Sequence, residues 1–300
     1  MHKWSQLKVK MTQVQGYSAA EYILAGGHFP TACLCYLALT DFCHSVSFLM
    51  AHFRSFLFPA AEVQADSITL DQRESHHLVK VFRARAGDGV EILDGKGRRY
   101  RGHLTRADAR AAVVLIEEIE EVKASNVKVT LLQALLKGKA MDLILRMATE
   151  IGASSLQPVY TAQSEVHLPH ERVDGKLAKW CATTIEASKQ CGLAFLPVVA
   201  APLDLTDWLR LHPATAADLR IVASLEPGSR WLLEALAAAP LPNRIVLAVG
   251  PEGDFSPSEY AALRDNGFAP VRLGANVLRA ETAAAYMLSV IDQFVQREQA

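Results

Sequence analysis

What this 300-residue sequence lacks most plainly is charge of one sign: 31 Lys and Arg stand against 32 Asp and Glu, for a formal net charge of −1. A chain so balanced does not hold a polyanion by bulk attraction, so any nucleic-acid surface must be a local basic patch. Cysteine is scarce. The five residues, Cys33, Cys35, Cys43, Cys181 and Cys191, form no CxxC pair and no CxxCH, which fits a reduced, cytoplasmic chain with no metal site. No apolar run reaches the roughly 20 residues that a membrane span needs, since Asp41 and His44 interrupt the one around Thr31 to Leu39. GxxxxGK[ST], a helix-opening GxGxxG and GxSxG are all missing, which argues against triphosphate, nicotinamide and serine-hydrolase chemistry.

Half of the residues are apolar, enough for two globular domains with separate cores. Residues 1–50 share no periodicity with the rest of the chain. They are read as an extension that is disordered or lies upstream of a true start at Met50. From His52 to about Lys123 short runs such as Arg54–Phe58, Ser67–Leu70, Val90–Leu93, Tyr100–Leu104 and Ala111–Ile116 alternate with turn signals at Gly87-Asp-Gly89 and Asp94-Gly-Lys-Gly97. Closely spaced strands of this kind predict a small β-barrel. A helix over Ser75–Arg83 is expected to bury Leu78, Val79 and Phe82 and to present Lys80 and Arg83. Between Arg73 and Arg110 ten Lys or Arg face five Asp or Glu. The excess is a solvated barrel face or an RNA surface, and the count alone favours the former.

Beyond Lys123 strand and helix alternate, which predicts a parallel sheet covered by helices, with ligands beyond the carboxyl ends of its strands. The helix through Met141, Ile144, Leu145, Ala148 and Ile151 is closed by Gly152, and further strands are read at Leu156–Tyr160, Leu196–Val199 and Leu219–Leu225. After the strand Arg244–Val249 the loop Gly250-Pro-Glu-Gly-Asp-Phe255 enters a helix with Ser256 as N-cap, Pro257 at its first position and Glu259 completing a capping box. A strand at Pro270–Leu273 feeds a second loop, Gly274-Ala-Asn-Val-Leu-Arg-Ala-Glu281, before a closing helix. Glycines at strand ends admit a ligand to the backbone, and Val277 and Leu278 suit the faces of an adenine. By pattern alone, two ordinary turns are an equal reading.

The ordered set Gly250-Pro-Glu-Gly253, Phe255-Ser256, Glu259, Leu273-Gly274 and Leu278-Arg-Ala-Glu-Thr-Ala283 resembles the C-terminal signature of the RsmE family of SPOUT methyltransferases. The likeness extends back through Glu186, Gln190-Cys-Gly192, Ala148–Gly152, Asp94-Gly95, Val81-Phe-Arg83 and Arg54. It implies a PUA-like β-barrel over 51–123 and a SPOUT α/β domain over 124–300 with a C-terminal deep trefoil knot. It also implies homodimerisation through the knot domain, and S-adenosyl-L-methionine as cofactor. The implied reaction is N3-methylation of one uridine, U1498 in the family's convention, in ribosomal RNA of the small ribosomal subunit. Carried over, the cofactor residues are Leu225, Gly250, Glu252, Gly253, Leu273, Gly274, Leu278, Arg279, Glu281 and Thr282. Arg54, His76, Lys80 and Arg83 become RNA contacts, so the resemblance turns the basic excess towards RNA.

The chain departs from the family at Asp254, where a glycine is usual, and at Ala275-Asn276. Met147, Gln163 and Leu193 also stand where the family is typically basic. These losses touch RNA contacts more than the cofactor loops. In methyl transfer the sulfonium carbon and uracil N3 must be aligned, water excluded and the N3 proton removed. Arg279 is expected to stabilise the developing anion on a uracil oxygen, and Glu281 to orient Arg279 or take a proton. The same loops would serve a SPOUT methylase acting on another ribosomal or a transfer RNA site, or an inactive RNA-binding assembly protein. Retention of Arg279, Glu281 and Thr282 favours the enzyme.

Overall fold

The computed structural model describes residues 53–238 and 241–299; the expectation for residues 1–50 lies outside them. The first sheet contains β1 (Phe53–Phe56), β2 (Glu62–Val63), β3 (Ser67–Thr69), β4 (Gly89–Leu93), β5 (Arg98–Arg106) and β6 (Val113–Glu121), in the order β1-β4-β5-β6-β3-β2. All its neighbours are antiparallel except β1 and β4. Alternation along these strands turns Ile68, Val90, Ile92, Tyr100, Leu104 and Val114 inward onto one core, as period-two patterning requires. Gly102 sits at a register shift between β5 and β6, where a Cβ would lie 1.8 Å from the Leu115 carbonyl oxygen. Only glycine fits that approach.

Between β3 and β4 the predicted helix is split. α1 (Gln72–His76) runs into a π-helical turn, His77–Val81. The turn inserts a residue relative to α-helical spacing, so Leu78 is buried but Phe82 is not: it is 44% exposed, correcting the expectation that it joins the core.

The remaining elements are β7 (Lys128–Ala134), α2 (Ala140–Ile151), β8 (Ser155–Tyr160), α3 (His170–Cys191), β9 (Val198–Val199), β10 (Leu203–Asp204), α4 (Leu205–Leu211), β11 (Asp218–Ala223), β12 (Arg230–Trp231), α5 (Leu232–Ala237), β13 (Arg244–Val249), α6 (Pro257–Asp265), β14 (Phe268–Arg272) and α7 (Ala280–Gln299). The second sheet is wholly parallel, with the path β10-β8-β7-β13-β11-β14-β12 and β9 beside β8. Strands covered on both faces read as continuous apolar runs; every residue of β13 after Arg244 is buried. One core lies beneath α2, α3, α5 and α7 and includes Leu131, Leu145, Trp180, Leu247 and Met287. A second, with Trp208, Val246, Leu263 and Phe268, lies beneath α4 and α6. β14 lies beyond β11, yet α7, which comes after it, packs on α2 and β13, so the chain crosses back past β11. Sequence reading missed α4 and the two-residue strands β2, β10 and β12, which are too short to carry a period, whereas β9 falls within the strand expected at Leu196–Val199.

The two sheets meet at the end of α3. Gly192 caps that helix in the left-handed region, φ 76°, and a Cβ there would stand 3.0 Å from Cζ of Arg54. The Arg54 guanidinium donates to the carbonyls of Lys189 (3.3 Å) and Gln190 (2.7 Å), and Arg99 Nη2 donates to that of Gly192 (2.9 Å). Two cations thus meet the negative end of the helix. Beside them the buried Lys189 ammonium donates to Glu74 Oε1 at 3.0 Å, while the Ser55 hydroxyl and the Phe56 amide donate to the same carboxylate.

Candidate cofactor pocket and RNA surface

Three loops leave the carboxyl ends of β11, β13 and β14 and enclose a cavity of about 470 Å³, within the range of small-ligand sites. Its lining includes Leu225, Gly250, Glu252, Leu273, Gly274, Leu278, Arg279 and Glu281. Two other expected residues stand aside. Gly253 is turned towards Gln163, whose Cβ lies 3.0 Å from where a Cβ on the glycine would be. Thr282 is exposed on the first turn of α7 and is not part of the lining. Ser224, Arg272 and Asn276 line the cavity too, although nothing in their spacing marks them.

The loop after β13 is held from both ends. Ser256 Oγ accepts the Glu259 amide (3.3 Å), and Glu259 Oε2 accepts the Ser256 amide (2.8 Å), completing the predicted capping box. The other carboxylate oxygen of Glu259 accepts the Ala162 amide at 2.7 Å, tying this loop to the one after β8. Asp254 explains why a glycine is usual at its position: its φ is +64°, a region costly for most side chains but tolerated by aspartate with local partners. Its Oδ1 accepts the Phe255 amide and the Tyr260 hydroxyl, both at 2.8 Å. Burial, with Asp254 adding to it, pushes the Tyr260 phenol above its ordinary pKa.

Charge in the cavity is mixed. Glu252, Asp254 and Glu281 face Arg272 and Arg279. The carboxylates suit a cationic ligand, and the loop backbone suits a base edge. Arg279 is exposed and Glu281 half-buried, and no hydrogen bond or ion pair joins them among the described residues. Although both line the cavity they do not pair, which corrects the expectation that Glu281 holds Arg279. Glu281 instead occupies the first turn of α7, where the helix dipole favours its anion.

On the curled sheet the basic excess shrinks. Arg98 pairs with Glu121, Arg99 with Glu120, Arg101 with Glu91, Glu118 and Glu120, and Arg73 with Glu186. The carboxylates of β6, Glu117 to Glu121, lie just beyond the basic segment Arg73 to Arg110 in the chain. Arg54, expected to contact RNA, is engaged with Glu91 and the end of α3, with a third of its side chain exposed. His76, Lys80 and Arg83 are all exposed, and neither Lys80 nor Arg83 has an ion-pair partner among the described residues. Of the family-basic positions, Met147 and Leu193 are half-buried and Gln163 is exposed.

Residues 123–292 match an RNA methyltransferase domain and residues 70–117 an RNA methyltransferase PUA domain. Ribosomal RNA small subunit methyltransferase E from Synechocystis is 34% identical over 252 residues, covering 84% of this chain and 80% of the relative. The Mycobacterium bovis protein of that description is 32% identical, covering 76% and 87%. The chain belongs to the ribosomal RNA small subunit methyltransferase E family, RsmE. Among solved structures, a putative methyltransferase from Legionella pneumophila with bound SAM superposes with a TM-score of 0.72 at 27% identity, covering 80% of this chain and 97% of that one. The Neisseria gonorrhoeae family member bound to S-adenosyl methionine gives 0.70 at 26% identity, with the same coverage. The fold is thus a PUA-like curled sheet followed by a SPOUT-type parallel α/β domain.

Proposed function

We propose that this protein is a cytoplasmic enzyme that transfers the methyl group of S-adenosyl-L-methionine to N3 of one uridine in small-subunit ribosomal RNA, the position the family numbers U1498. The observation that carries this is the three-loop cavity, which gathers residues that the chain spreads from Leu225 to Glu281. The loop backbone and Leu278 hold the adenosine, the carboxylates favour the sulfonium, and the glycines bring the main chain close. Arg279 meets the charge that develops on a uracil oxygen as N3 loses its proton. Glu281, free of Arg279, is the proton acceptor in this reading. The base is unstacked and turned into the cavity, while His76, Lys80 and Arg83 hold the flanking phosphates and Arg54 braces the sheet that carries them.

In the same reading the crossing of the chain past β11 is the trefoil knot. Leu225, Leu233 and Val277, each more than 60% exposed, belong to the interface of a homodimer. Sedimentation of a monomer at working concentration would reject the dimer.

The reaction is tested by mass spectrometry of small-subunit ribosomal RNA from cells with and without the protein. Loss of 3-methyluridine, restored by purified protein and S-adenosylmethionine, is the expected result. Unchanged 3-methyluridine, or loss of a methylated nucleoside in transfer RNA instead, would reject it.

A further inference from the structure

We infer that Phe82 is a stacking platform for an unpaired RNA base, flanked in the chain by the cations of the segment between β3 and β4; this deepens the RNA-methyltransferase reading and rests on it. The π-helical turn His77–Val81 closes with the Phe82 amide donating to the His77 carbonyl at 3.0 Å. Arg83 comes next with φ +59°, a conformation unusual for a long side chain, and the Ala84 amide donates to the Leu78 carbonyl at 3.0 Å. Single π turns and left-handed non-glycine residues both cost energy and gather at functional sites. Their joint effect here is to hold a large ring out of the core.

The ring is nonetheless fixed. Its centroid stands 4.5 Å from the His77 ring and 5.8 Å from the Phe53 ring, so it keeps a defined orientation while 44% exposed, beside Val81 at 57%. Its chain neighbours Lys80, Arg83 and Arg85 are exposed and have no carboxylate partner among the described residues. On β5, by contrast, Arg98, Arg99 and Arg101 are answered by glutamates. An immobilised, exposed aromatic ring among unanswered cations suits single-stranded RNA: the cations take phosphates and the ring takes a base face without reading its edge. A duplex offers no free face to it.

The test uses the full chain, a short labelled oligouridylate, an abasic oligomer of the same length and a duplex. Phe82→Ala is expected to weaken oligouridylate binding about tenfold, with the salt dependence and S-adenosylmethionine affinity unchanged. The abasic oligomer should bind the variant and the unaltered protein alike. Phe82→Trp should retain binding, and its added emission should be quenched by oligouridylate. Unchanged affinity in Phe82→Ala, equal losses for the abasic oligomer, or unquenched emission from Phe82→Trp would overturn the proposal. If the unaltered protein methylates ribosomal RNA while Phe82→Ala binds normally, the platform alone falls. If no RNA is methylated yet Phe82→Ala still loses oligouridylate binding, the platform stands and the methyl-transfer reading falls.

Discussion

The two ends of the parallel sheet treat charge in opposite ways. At the amino ends of β11 and β13, Asp218 is enclosed by Arg220 (3.2 Å) and Arg244 (2.5 Å), and Arg220 is further packed against the Trp208 and Phe268 rings. At the carboxyl ends, Arg279 and Glu281 share one cavity without meeting. The curled sheet repeats the contrast, with Arg98, Arg99 and Arg101 matched by glutamates and Lys80 and Arg83 unmatched. Charges completed within the chain hold the fold, and those left unpaired keep their donors and acceptors open to water or a ligand. A paired charge has its donors already engaged, whereas an exposed unpaired one can exchange its water for a ligand at modest net gain.

The sharpest way to break this contrast is at the incomplete end. Arg279→Ala should lower turnover by about 10²–10³-fold, as expected for loss of a transition-state donor, while S-adenosylmethionine affinity by calorimetry changes only a few-fold. Lost cofactor binding with normal residual chemistry would make Arg279 a structural residue.

At the complete end the effect falls on stability. Burial alone pushes the Asp218 carboxyl up, but hydrogen bonds from Arg244, Thr215 and Arg220 outweigh it and hold the pKa at about 2. The folded pKa lies below the unfolded one. The stabilisation is therefore fully present above the ordinary aspartate value and is lost as pH falls from about 4 towards 2. Asp218→Asn should cost about 2 kcal/mol at neutral pH and flatten the acid limb of urea-unfolding stability measured against pH. An acid limb as steep as before would assign the effect elsewhere.

Smaller effects test the curled sheet. Lys80→Ala with Arg83→Ala should weaken RNA binding and reduce the slope of log affinity against log salt by about 1 to 2, with cofactor binding intact; an unchanged slope would remove both from the RNA surface. Glu118, half-exposed beside Arg101, should matter least. Glu118→Gln is expected to change stability by less than about 0.5 kcal/mol, and a larger loss in thermal unfolding would mean that the Arg101 network is cooperative.

Legibility in the sequence tracks the range of the interactions. The capping box at Ser256 and Glu259, the αL cap at Gly152 and the buried run of β13 are local, and the structure has them where the sequence places them. Phe82 escapes sequence reading because a π turn inserts a residue that no α-helical periodicity reveals. Arg54 escapes it because its partners at Lys189 and Gln190 lie more than 130 residues away. Ser224 follows β11, while Arg272 ends β14 and Asn276 lies in the loop after it; they carry no signal because only the pairing of β11 with β14 brings them to one cavity.

By itself, the sequence determined the alternation of elements, the two glycine loops and their family signature, because propensity, capping and hydrophobic period act over a few residues. Only the tertiary structure decided which charges are answered. Ion pairs and cavities join residues distant in the chain, and the partner that completes a charge, or leaves Arg279 open to a ligand, is set by strand order and packing. The cofactor loops were therefore nameable from sequence, whereas only packing shows that Arg73, Arg98, Arg99 and Arg101, four of the ten cations between Arg73 and Arg110, are answered by glutamates.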